Sequence, residues 1–270
     1  MQRTRKIVPA GEARIEVIAE GEGPLLVLLP SSSRDSEDFD DIAAMFAGAG
    51  LRVLRPQPRG MGASVGWMEN LTLHDFAADV ADVIAAEGGE PAVVLGHAFG
   101  QWVARTLATD RPDLVRGVVL AAAAAKTAQP ELRDLLARCA NTDLPDAVRL
   151  IALQSAFFAP GHDPSSWLSG WYKEAGAAQR AAGQATPQGE WWSAGSAPVL
   201  DVQAERDPWR PRDTMNQIRD DLGAYRVSVV VIPDASHALV PEQPDRLVQA
   251  VLDWIGLLSE QRQSTPTQRP

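Results

Sequence analysis

Cysteine is almost missing from this chain: Cys139 is the only one in 270 residues, which excludes an internal disulfide framework and a cysteine-held zinc site. Histidine is sparse as well, and the four present, His74, His97, His162 and His237, form no cluster with metal-ligand spacing. No metal and no other cofactor is therefore expected. Long apolar runs are lacking, because the longest, residues 117–125, falls far short of the roughly 20 needed to span a bilayer. No membrane partner is expected. Basic residues are in deficit, 25 Lys and Arg against 35 Asp and Glu for a net charge of −10. They do not cluster, so the surface repels phosphate backbones and nucleic acid is not an expected partner. Arg3, Arg5 and Lys6 open the chain, but Glu12, Arg14 and Glu16 interrupt any signal-peptide core, which points to a cytoplasmic protein. No internal repeat or sustained heptad run is present.

What is present is an ordinary globular composition, 45% hydrophobic and 22% charged, with length for one large domain or two small ones. Ala13–Glu20 alternates Ile15 and Val17 with Arg14 and Glu16, the period-two pattern of a half-solvated strand, expected antiparallel at a sheet edge. Leu25–Leu29, residues 52–54, residues 92–95, Val115–Ala121, Val199–Ala204 and Val227–Ile232 are short and mostly apolar, as strands buried on both faces are. Between them run helical patterns. Leu73, Phe76, Ala77, Val80 and Ile84 share one face behind a Thr72/Asp75 capping box. Pro244 opens another helix with Leu247, Val248, Val251, Leu252 and Ile255 on one stripe. The alternation predicts an α/β fold: a mostly parallel twisted sheet with right-handed crossovers and helices on both faces.

Strand runs vanish over residues 127–196, read as an inserted helical cap, leaving residues 1–126 and 197–258 as the core and residues 259–270 as a polar flexible tail. Phe157, Phe158, Trp167, Trp171, Tyr172, Trp191 and Trp192 fall in the cap, seven of the sixteen aromatics. About half are expected to form the cap's own core and the rest to line an apolar pocket.

Ligands of open parallel sheets bind beyond the carboxyl ends of the strands. After residues 92–95 come Gly96, His97, Ala98, Phe99 and Gly100, then a helical run. Two glycines four apart at a strand-to-helix junction permit a sharp turn that pushes the residue between them above the sheet. They do not give the Gly-x-Gly-x-x-Gly spacing of a dinucleotide site. This segment resembles the nucleophile elbow of the α/β-hydrolase fold superfamily, Gly-x-nucleophile-x-Gly, with Ala98 where Ser, Cys or Asp belongs. The likeness extends from the strand near Ala13 to the last helix near Leu258.

The resemblance implies the remaining site residues in the superfamily's chain order. Asp207, just beyond Val199–Ala204, matches the acid; Asp201 lies mid-strand and Glu205 sits too close to the strand end. His237, after Val227–Ile232, matches the general base. His97 is expected to tuck beside the sheet in a structural role, and His74 and His162 have no motif context. The loop after Leu25–Leu29 implies oxyanion donors from the backbone N–H groups of Ser32 and Phe99. Here Pro30-Ser31 stands in place of the usual His-Gly. Residues 55–60 resemble the loop after the family's next strand. The hydroxyls of Ser31, Ser32 and Ser33 favour a tight turn, and Ser32 is an alternative holder of a substrate oxygen or water.

A methyl group cannot attack a carbonyl, and removing the serine of an intact triad costs about a millionfold in turnover, roughly 8 kcal/mol. Three readings stay open. The chain is a serine hydrolase with its nucleophile replaced by Ala98; or Ala98 is native and His237 with Asp207 moves protons without a covalent step; or the cap aromatics and Trp102 form a ligand-binding pocket with no turnover. An enzyme of hydrolase type acting on an ester, lactone or related apolar or cyclic carbonyl compound ranks first, because binding alone gives no reason to keep both acid and histidine.

Overall fold

The structure, a computed structural model, describes residues 3–127 and 129–264. The chain begins with strands β1 (Thr4–Ala10), β2 (Ala13–Glu20) and β3 (Leu25–Leu29), then helix α1 (Asp40–Gly48), β4 (Arg52–Pro56) and α2 (Leu73–Ala86). It continues through β5 (Ala92–His97), α3 (Gly100–Asp110) and β6 (Val115–Ala121). An insert of four helices follows, α4 (Pro130–Ala140), α5 (Asp146–Ala156), α6 (Lys173–Ala185) and α7 (Gln188–Trp191). The chain closes with β7 (Val199–Ala204), α8 (Gln217–Leu222), β8 (Val227–Ile232), α9 (Leu239–Glu242) and α10 (Pro244–Ser264).

The eight strands form one sheet in the order β1-β2-β4-β3-β5-β6-β7-β8. β1 with β2 and β2 with β4 are antiparallel, and every other pairing is parallel. The apolar runs are buried as expected of central parallel strands: every residue of β3, β5 and β7 is buried. One face of the sheet packs against α2, α3 and α8 through Phe76, Val80, Leu107 and Ile218. The other packs against α1 and α10 through Phe46, Val251 and Trp254. Gly117 makes room for the second layer, since a Cβ there would stand 2.7 Å from the Trp254 ring. The Thr72 box caps α2, its backbone N–H and hydroxyl both donating to Asp75.

Two expectations are corrected. The alternating strand Ala13–Glu20 is antiparallel but not the edge, because Thr4–Ala10 pairs along its full length; the basic residues that hid this strand, Arg5 and Lys6, pair with Glu16 and Glu87. Helix α10 also runs on through Ser264, so the tail expected from residue 259 is helical there, with Leu258 still buried on the sheet; residues 265–270 lie outside those described. No helix among the described residues is long and apolar enough to cross a membrane.

Candidate active site

The carboxyl edge of the sheet is where the backbone is most constrained. Of the six non-glycine residues with positive φ among those described, four follow β3, β5, β6 and β8: Ser33, Ala98, Ala122 and Asp234. Each such residue costs of order 1–3 kcal/mol, held by its surroundings, and these outliers concentrate at functional sites. Ala98 has φ +48°, its N–H donates to Ala121 O at 3.0 Å, and it is 8% exposed. The flanking glycines are obligatory. A Cβ on Gly96 would lie 2.3 Å from Gln101 N, and one on Gly100 would lie 2.2 Å from Leu29 O and 2.7 Å from Pro30 O. Helix α3 thus starts in contact with both its own strand and the neighbouring loop, which leaves the sharp turn at Ala98 as the chain's only path.

Asp207 and His237 come together from the loops after β7 and β8. His237 Nδ1 lies 2.9 Å from Asp207 Oδ2, and both side chains are buried. The second carboxylate oxygen, Oδ1, accepts from the Trp209 N–H at 2.8 Å, a two-residue Asx turn that fixes the carboxylate's orientation. With Asp207 accepting from Nδ1–H, Nε2 is the nitrogen left to take a proton. The imidazole is walled by rings: Trp209, Phe157 and His97 have centroids 5.2, 5.6 and 5.8 Å away. His97 acts as a brace, as expected. It is buried and lies 2.7 Å from the His237 carbonyl through Nε2. Burial and then the neighbouring His237 charge push its pKa down to about 3, so it is neutral and donates through Nε2–H.

The loop after β3 carries Ser32 and Ser33. The turn expected from the three hydroxyls is present, closed by Arg34 N–H donating to Ser31 O. The Ser32 hydroxyl is buried with no hydrogen-bond partner in the structure. Ser33 is pinned by the insert, its N–H donating to Gln179 Oε1 at 2.8 Å and its carbonyl accepting from Tyr172 N–H at 2.9 Å. Arg34, directly after, lies between Trp167 and Trp171, 4.7 and 5.1 Å from their ring centroids. It also donates to Asp38 and to Ser169 O. Phe99 immediately precedes α3 as its N-cap, at the end of a helix where N–H groups have no carbonyl partner within the helix.

The structure therefore brings Asp207 to His237 and sets Ala98 in the strained elbow. Trp102 belongs elsewhere: its ring stacks on Phe99 and Trp191, 5.6 and 5.2 Å between centroids, and against Gly183. It seats the insert on α3. The insert aromatics divide, with Phe157, Phe158, Trp167 and Trp171 in one cluster with Trp209 and Trp191 and Trp192 in the core beneath α3. Asp201 is buried mid-strand and paired with Arg210 at 3.2 Å. His162 reaches Asp234 O. His74 bridges Asp110 and Glu190 at 2.7 and 3.0 Å. Two residues of the site were not singled out from the sequence, Trp209 and Glu242. The signal for Trp209 was available in Asp207-Pro208-Trp209, a turn-forming stretch. Glu242 carries no comparable signal in the sequence. Among the described residues no group of His, Cys, Asp and Glu is arranged to hold a metal ion.

Comparison with known proteins agrees with the fold. Residues 26–250 match the family described as the alpha/beta hydrolase family. Epoxide hydrolase B of Mycobacterium tuberculosis (strain ATCC 25618 / H37Rv) is 32% identical over 125 residues, 44% of this chain and 35% of that protein. The pyrrolizixenacetamide deacetylase of Xenorhabdus hominickii is 30% identical over 169 residues, 58% of this chain and 61% of that protein. The matched stretches thus span about a third and three-fifths of those relatives' lengths. Among solved structures, a thermophilic esterase from Thermogutta terrifontis superposes with a TM-score of 0.76 at 23% identity, over 96% of this chain and 99% of that one. An esterase from Exiguobacterium antarcticum does so with a TM-score of 0.79 at 17% identity, over 94% and 100%. At these identities the superpositions speak to the fold alone. By sequence over most of its length and by fold, the chain belongs to the alpha/beta hydrolase family.

Proposed function

We propose that this protein is an enzyme of the hydrolase type acting on a small apolar or cyclic carbonyl compound, an ester or lactone, and that it does so without a covalent acyl intermediate. The observation that carries the reading is the buried His237–Asp207 pair, with both carboxylate oxygens engaged, on the same sheet edge as an elbow that presents a methyl group at Ala98. His237 Nε2 takes a proton from a water held over Ala98, where a serine hydroxyl would otherwise stand. The hydroxide adds to the substrate carbonyl carbon as the C=O electron pair moves onto oxygen. The backbone N–H groups of Ser32 and Phe99 hold that oxyanion, a type of contact worth about 3 kcal/mol per donor. The carbon–oxygen bond to the leaving group then breaks, and His237 returns its proton to the departing oxygen. Base catalysis by a positioned imidazole contributes roughly 10²–10⁴, so turnover below that of a serine hydrolase is expected. The insert serves as a cap, and the ring wall made by its Phe157 with Trp209 of the loop after β7 selects an apolar acyl group.

The test is a side-by-side assay of the chain and Ala98→Ser on aryl esters, lactones and carbon–carbon cleavage substrates. Turnover by the unaltered chain supports the reading. Turnover by Ala98→Ser alone overturns it in favour of a serine hydrolase that has lost its nucleophile, and ligand-induced tryptophan fluorescence without product from either favours a binding protein.

A further inference from the structure

Glu242 is a buried carboxylate that the proposed reaction does not use. It ends α9 and is 8% exposed. Its Oε2 accepts from the Ser236 N–H at 2.6 Å and its Oε1 from the Ala159 N–H at 2.5 Å. Burial pushes the carboxyl above the ordinary range while these two donors pull it down. Ser236 immediately precedes His237. Ala159 stands two residues after Phe157, whose ring faces His237 and whose carbonyl accepts from the Ala238 N–H at 2.7 Å. The N–H groups of the residues on either side of His237 are thus fastened to one segment of the insert, that of Ser236 through Glu242 and that of Ala238 through Phe157. Only a carboxylate accepts at both oxygens. The isosteric amide offers one acceptor and turns its NH₂ toward the other N–H, leaving a buried donor unpaired.

We propose that Glu242 is a positioning residue for His237, fixing the loop that carries the imidazole and coupling that loop to residues 157–159 of the insert. This rests on the reading of His237 as general base, but its test does not need turnover. Amide hydrogen exchange and the imidazole ¹⁵N signals of His237 are recorded by NMR on the full chain without substrate, for the parent and for Glu242→Gln. The expected result is exchange faster by about tenfold or more at Ser236 or Ala159, a changed Nδ1–H signal and titration of His237, and unchanged exchange in β3 and β5. On a substrate turned over by the parent, kcat falls while KM moves little. Parent-like exchange and titration in Glu242→Gln overturn the proposal. Acceleration spread evenly over all strands also overturns it, since that is loss of global stability alone. If Glu242→Gln does not fold, Glu242→Asp, which keeps the charge but shortens the reach, is read in the same way. A parent whose turnover survives His237→Ala defeats the proposed function, while the exchange rates at Ser236 and Ala159 still decide whether Glu242 holds the loop.

Discussion

Asp207 and His237 are 30 residues apart in sequence and 2.9 Å apart in space because β7 and β8 are adjacent parallel strands ending in register, Ala204 opposite Ile232. Each side chain needs only a short loop to reach the same edge. Asp207→Asn keeps the shape but presents an amide donor to Nδ1, which reverses the imidazole tautomer and puts a hydrogen on Nε2. Steady-state kinetics are expected to show kcat lower by roughly 10² or more, within the 10²–10⁴ that the oriented imidazole contributes, with the thermal transition nearly unchanged.

Ala98 occupies its left-handed conformation between glycines that admit no side chain, so a serine there is presented in the same geometry. Mass spectrometry after treatment with a fluorophosphonate is expected to show one adduct, at position 98, in Ala98→Ser and none on the unaltered chain. An adduct on the unaltered chain at Ser32 would identify that residue as a nucleophile.

Gly100→Ala places a Cβ against two backbone carbonyls, 2.2 Å from Leu29 O and 2.7 Å from Pro30 O, where no rotamer relieves the clash. Urea denaturation is expected to show a loss of about 3 kcal/mol or more. Gly189→Ala, where nothing lies within 4 Å, serves as the control and should change stability little.

His74 joins α2 to Asp110 at the end of α3 and to Glu190 in α7. Both ring nitrogens face carboxylates, so only the imidazolium satisfies both. Its pKa is raised from 6.5, first by Asp110 and then by Glu190. A raised folded-state pKa means that the contribution is full below the unfolded value near 6.5 and is lost as pH rises through the folded value. Partial exposure and screening keep it below about 1 kcal/mol. Thermal melts between pH 6 and pH 9 are expected to show a small decline in the parent that His74→Gln removes, and an unchanged slope in the variant would contradict the assignment.

Much of this was legible in the sequence because period and punctuation survive folding unchanged. The apolar runs became the central strands, and Gly96, Ala98 and Gly100 became the elbow, since backbone contact at two points leaves no other geometry. Asp207 and His237 could be placed through the family resemblance, which sets an acid and a histidine just beyond these two strands. The rest depends on contacts between segments distant in sequence. Thr4–Ala10 carries too many charges to read as a strand until its partners Glu16 and Glu87 are in place. Trp102 looks like a pocket residue until Gly183 and Trp191 close over it. Glu242 shows its role only when Ala159, 83 residues away, reaches its carboxylate.

The proposed chemistry stands or falls on the imidazole of His237, and the pH profile of kcat/KM for the unaltered chain beside His237→Ala examines it most directly, on the best substrate of the ester and lactone panel. The expected result is a kcat/KM that falls by roughly 10² or more in the variant and loses the pH dependence that the unaltered chain shows. An unchanged rate and profile in His237→Ala would contradict it.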